Sequence, residues 1–119
     1  MSDASDSASE VLDKLSTSAG WDFRVVAYDG YALTLASGTS MDRASPVAAF
    51  GGVSYFSGAL EFSHASFQVA SDLERNVIGR SVPLDEDDIV VRIEAETQVG
   101  LERQRFYLVA ESVVLLKAL

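Results

Sequence analysis

Residues 47–70 constrain the fold more than any other part of the chain. They hold five of the ten Phe and Tyr residues and the one histidine, His64. Two apolar runs flank Ser57-Gly58, a pair suited to a turn because glycine adopts positive φ without steric cost. The pattern predicts a β-hairpin. Its alternation is imperfect. Val47, Ala49, Val53 and Tyr55 share one parity, and Phe50 and Phe56 take the other. After the turn Leu60, Phe62 and His64 share a face, and the apolar set then switches to Ala65, Phe67 and Val69. A one-residue slip turns every later side chain to the opposite face. A bulge at Ser63-His64-Ala65 would supply that slip; a strand buried on both faces is the alternative. Gly51-Gly52 predicts a kink or close backbone approach at the same level.

The rest of the chain supplies partners for this segment. Residues 1–6 read as a disordered tail, and 7–119 as a single β-rich α+β domain. Ser7 and Glu10 have capping-box spacing. Ala8, Val11, Leu12, Leu15 and Ala19 follow at helical intervals, so a short amphipathic helix is expected over 8–18, stopped at Gly20. Trp21, Phe23, Val25 and Ala27 alternate with Asp22, Arg24 and Val26. A three-residue loop with Gly30 in the left-handed region would pair Val25 with Leu33 and Phe23 with Leu35, apolar against apolar. Residues 37–46 are a polar loop. Ser71 and Glu74 form a second capping box before Leu73, Val77 and Ile78, a short helical face ending at Gly79. Ile89, Val91, Ile93 and Ala95 alternate with Val90, Arg92, Glu94 and Glu96, a strand with one wet face. Residues 103–116 return as a long strand whose end, Val113-Val114-Leu115-Leu116, is apolar on both parities. The expected architecture is therefore α+β: a mainly antiparallel curved sheet, a meander or half-barrel of about six strands. An N-terminal helix and one short second helix complete it.

Composition restricts function. The 119 residues carry a net charge of −9 and no cysteine. The acidity argues against nucleic acid, which needs a basic footprint, and against anionic membranes, and it permits a basic partner. Without cysteine there is no disulfide, thiolate zinc site or cysteine nucleophile. No apolar run has membrane-spanning length, and the Ser/Asp-rich start lacks the features of a secretory signal, so a cytoplasmic setting is expected.

No motif names a reaction, and no catalytic, metal or cofactor residues are assigned. His64 could act as a base beside Glu61, but opposite strand parity separates the two unless a bulge intervenes. Asp85-Glu86-Asp87-Asp88 lacks the spacing of a calcium loop and reads as a solvated charge run. Trp21, Phe23, Tyr55, Phe56, Phe62 and Phe67 could line a pocket, though core packing accounts for such a set. The expected function is a non-enzymatic protein-interaction module, acting as a homodimer or on a protein partner through the last strand. A small-ligand-binding or enzymatic half-barrel, with an aromatic-lined pocket near His64, is the alternative.

Overall fold

The computed structural model describes residues 3–18, 21–38, 45–97 and 100–116. Two helices and an antiparallel sheet make up an α+β fold with its long helix at the N-terminus. The elements are α1 (Asp3–Ser18), β1 (Asp22–Tyr28), β2 (Leu33–Gly38), β3 (Ser45–Gly51), β4 (Tyr55–Phe56), β5 (Glu61–Val69), α2 (Asp72–Ile78), β6 (Ile89–Thr97), β7 (Gly100–Ala110) and β8 (Ser112–Leu115). The strand order is β4-β7-β6-β5-β1-β2-β3-β8.

This corrects the expected meander or half-barrel of about six strands. Eight strands are present among the described residues, because two long segments are each interrupted. The order is also not consecutive: β5 lies between β1 and β6, while β3 lies between β2 and β8. Residues 47–70 are therefore not a hairpin, since β3 and β5 do not pair. The chain leaves β4 beside β7 and enters β5 beside β1. Gly58 permits this crossing. A Cβ on Gly58 would overlap the ring of Phe106, so the backbone passes directly over that side chain.

The interruptions face each other. β3 runs against β8 up to Gly51↔Ser112, and β4 runs against β7 from Tyr55↔Val109. Between them the Glu111 N–H donates to the Gly51 carbonyl (2.8 Å), and the Ser54 N–H donates to the Val109 carbonyl (3.0 Å). The segments 45–56 and 106–115 thus form one broken ladder. Because β4 continues β3 and β8 continues β7, the pairing closes on itself. Gly52, at φ +64, supplies the kink, and the Glu111 carboxyl lies against it.

The parity switch in β5 is a bulge, as its alternation predicts. The register to β6 shifts between Ser63 and Ser66, and His64 has φ 52. Phe62, Ala65 and Phe67 all reach the core as a result. The β1–β2 register differs from expectation. Gly30 does have positive φ (+94), but Val25 pairs with Leu35 and Tyr28 with Leu33, with an irregularity at Val26. The cause is Asp29, whose Oδ1 accepts from the N–H groups of Tyr31 (2.9 Å) and Ala32 (2.8 Å) and so closes a longer turn.

α1 begins at Asp3, earlier than expected, which places Ser7 inside the helix rather than at its cap. Gly20 lies outside the described residues, as do 39–44 of the expected polar loop. Ala8, Leu12 and Leu15 are buried, as the helical stripe predicts. α1 packs on β5 and β8. The β1–β5 ladder has three pairs and ends at Asp22↔Ser63. Beyond it, Ser16 of α1 serves the exposed edge of β5: its Oγ accepts from the Phe67 N–H at 2.8 Å.

The core is aromatic at its centre. Phe23 lies 5.6 Å from Phe62 and 5.1 Å from Phe67, and Phe62 lies 5.2 Å from Phe106, ring centre to ring centre. These separations suit stacked and edge-on pairs. Val91, Ile93, Ala95, Leu108 and Val47 are among the residues packed around them.

Candidate functional site

Three surface regions gather side chains able to do chemistry or to bind. The first is an apolar cleft of about 290 Å³ lined by Val25, Tyr28, Leu33, Val53, Ser54, Tyr55, Phe56 and Leu60. It forms where the β1–β2 hairpin, the β3–β4 interruption and the turn before β5 converge. The Val25 N–H donates to the Leu60 carbonyl (2.8 Å), and the Val53 N–H donates to the Tyr31 carbonyl (3.0 Å), so backbone hydrogen bonds fix the walls. Leu33 is buried, and Val25, Val53 and Phe56 pack against the core from below. Leu60 is 64% exposed and Tyr28 55%. An apolar floor with large exposed apolar groups on its rim is surface that burial against another molecule would stabilise. Of the aromatic set singled out in the sequence, Tyr55 and Phe56 line this cleft. Phe23, Phe62 and Phe67 fill the core, and Trp21 stands elsewhere on the surface.

The second region surrounds His64. Its ring stacks on Trp21 with centroids 6.3 Å apart, and its Nδ1 lies 3.4 Å from Glu96. The His64 N–H donates to the Trp21 carbonyl (2.8 Å), and Arg103 donates to the His64 carbonyl (2.8 Å). Glu61 is not its partner. The bulge turns His64 toward β6, and Glu61 pairs with Arg24 at 3.2 Å. Sequence reading missed Glu96 and Arg103 because their placement depends on the β5–β6–β7 registers. Trp21 and His64 are both exposed, and His64 does not line the apolar cleft.

The third region is polar. Ser71 caps α2 in the expected box: the Glu74 N–H donates to Ser71 Oγ, and Glu74 Oε1 accepts from the Ser71 N–H. The same Glu74 accepts from Arg92 (3.0 Å) and from the Tyr107 hydroxyl (2.6 Å). Arg92 also meets Gln68, and Arg105 reaches Glu94 at 3.2 Å. Burial pushes the Glu74 carboxyl up. The Tyr107 hydroxyl, the Ser71 N–H and hydroxyl and the Arg92 guanidinium together outweigh it and hold Glu74 at about 2. Burial, reinforced by Glu74, raises the Tyr107 phenol. This network fastens α2 to β6 and β7. Leu73 and Val77 of the expected helical face are exposed, so polar contacts hold α2 rather than apolar burial.

The acidic run 85–88 forms a turn. Asp88 Oδ2 accepts from the Asp85 N–H, and Arg75 donates to the carbonyls of Asp85 and Asp88. Among the described residues no three His, Cys, Asp or Glu side chains converge as metal ligands. No helix among them is long and apolar enough to cross a membrane.

Comparisons of the chain with protein-family models, with curated proteins and with solved structures find no match.

Proposed function

We propose that this protein is a non-enzymatic interaction module that docks a segment of another polypeptide in the cleft between Tyr28, Tyr55 and Leu60. The observation that carries this reading is the exposure of Leu60 and Tyr28 on the rim of an apolar floor. Tyrosine and large aliphatic groups around a small depression are the composition of an interface centre, where one inserted anchor side chain supplies much of the affinity. A volume of about 290 Å³ takes a side chain or two. It lies at the lower limit for small-molecule sites, which run from about 300 Å³ upward. Tyr31 and Val26, in the same β1–β2 hairpin as Tyr28, are exposed as well. The lining carries no carboxylate, imidazole or amine. The lack of cysteine accords with a cytoplasmic setting.

Self-association through β8 is a second reading. Val113 and Leu115 pack inward, whereas Val114 and Leu116 are exposed on the outer side. A second copy would cover them in a two-fold contact.

Selection of random peptides on the immobilised full chain tests the cleft. Enriched peptides should share an apolar anchor and shift the amide signals of Val53, Tyr55 and Leu60. Leu60→Ser should weaken them at least tenfold with the fold intact. Failure to enrich any peptide, combined with saturable uptake of a free apolar dye at these residues, would favour the small-ligand alternative.

A further inference from the structure

Two carboxylates flank the cleft without a cationic partner among the described residues. Asp29 directly follows Tyr28 of the rim, and its Oδ1 is held by the N–H groups of Tyr31 and Ala32. Those backbone donors keep its carboxyl below the usual carboxylate range. The second is Glu111: a Cβ built on Gly52 would fall 2.5 Å from its Oε1, so the carboxyl lies against the residue that precedes Val53 of the cleft. A third carboxylate, Glu61, follows Leu60 but is neutralised by Arg24 at 3.2 Å. The remaining described arginines with ion pairs, Arg92, Arg103 and Arg105, pair with Glu74, Glu94 and Glu96 on β6, β7 and α2. The cleft therefore joins an apolar floor to fixed negative charge, on a chain whose net charge is −9.

We infer that the docked segment is cationic: an apolar anchor flanked by Lys or Arg, the anchor between Tyr28 and Leu60 and the cations beside Asp29 and Glu111. This rests on the cleft being the docking site. Complementary charge at a rim speeds encounter and rejects partners of the wrong sign, while the buried anchor supplies the affinity. An acidic segment would place like charges against both carboxylates, and Asp29 is held in place by its turn.

The test uses the full chain and three synthetic octapeptides sharing a central Leu-Phe. One has two Lys or Arg on each side, one has Gln, and one has Glu. Amide shifts locate binding and titration measures affinity. The basic peptide should bind at the amides of Val53, Tyr55 and Leu60 at least tenfold more tightly than the Gln peptide, with the advantage shrinking as salt rises. The Glu peptide should bind more weakly than either. Asp29→Asn with Glu111→Gln should erase the advantage while leaving Gln-peptide binding unchanged, since Asn retains the acceptor that closes the turn. Equal affinity of all three peptides overturns the charge inference and leaves the docking site standing. No shift at the cleft with any peptide overturns both. Basic-peptide shifts centred elsewhere, or an advantage that survives in the double variant, would show general attraction to an acidic protein and overturn the inference.

Discussion

Ser16 of α1 accepts a hydrogen bond from the backbone of Phe67 in β5. Its Oγ accepts from the Phe67 N–H at 2.8 Å, and its one hydroxyl proton faces the Leu12 carbonyl (2.9 Å) and the Phe67 carbonyl (3.2 Å). A helix side chain thus stands in for a neighbouring strand where β1 has already left β5. Ser16→Ala keeps the helix but strips a part-buried N–H of its acceptor. It should destabilise the protein by about 1–2 kcal/mol in urea unfolding, with little change in the denaturant slope. An effect under a few tenths would mean that water replaces the hydroxyl.

Gly30 and Gly58 should respond differently to alanine. At Gly30 the cost is conformational, since φ is +94 and a Cβ would meet no atom within 4 Å. Gly30→Ala should therefore lose about 1 kcal/mol. Gly58→Ala must displace the Phe106 ring from the aromatic core and should lose about 2–3 kcal/mol. Paired thermal melts compare the two, and equal losses would argue against the crossing over Phe106.

The acid limb of the stability profile should depend on Glu74. Its folded carboxyl is held at about 2, against an ordinary value of 4.5. The folded state binds that proton less readily than the unfolded chain. The stability contributed is complete above about pH 4.5 and is lost as the pH falls toward 2. Glu74→Gln should be less stable than wild type at pH 6 and should lose less on acidification. Melting temperatures at pH 6 and pH 2.5 read the difference. Parallel pH dependence in the two proteins would rule out this role.

His64 should matter as a backbone position rather than as a base. A left-handed residue other than glycine costs about 1–2 kcal/mol, and a β-branched side chain is worst there. His64→Val should be markedly less stable than His64→Gly. His64→Gln should keep any peptide binding within a few-fold. A large loss of binding in a folded Gln variant would assign His64 a direct role.

The outer side of β8 can be tested by charge. If Val114 and Leu116 contact a second copy, Val114→Glu with Leu116→Glu should shift sedimentation toward the monomer with circular dichroism unchanged. A wild-type monomer at high concentration excludes this contact. Unfolding of the variant would make these half-exposed residues structural.

Local rules carried far into this fold. The capping box at Ser71 and Glu74, the α1 stripe of Ala8, Leu12 and Leu15, the wet-faced alternation of β6 and the bulge at His64 all follow from spacing within a few residues. What failed depends on distant residues or on one side chain. Gly58 looks like a turn glycine, and nothing near it in sequence says that Phe106 lies beneath. Asp29 reset the β1–β2 register through two hydrogen bonds that a pairing rule for apolar residues ignores. Leu73 and Val77 look inward-facing until Arg92 and Tyr107 supply polar anchorage for α2. The cleft joins three separate segments, so no single stretch announces it, although Tyr55 and Phe56 were already visible as surplus aromatics.

The broken ladder between residues 45–56 and 106–115 also sets a timetable. Ser57 and Tyr107, hydrogen-bonded through backbone and hydroxyl, are 50 residues apart in the chain. Such a contact carries a loop-closure cost before it returns any stabilisation. During synthesis β3 waits for β8 while β2 is already at hand, and until 106–115 emerges the nascent sheet keeps two unpaired edges. Refolding is therefore expected to be slow, sensitive to protein concentration and accelerated by changes that pre-form the Gly51–Ser54 kink.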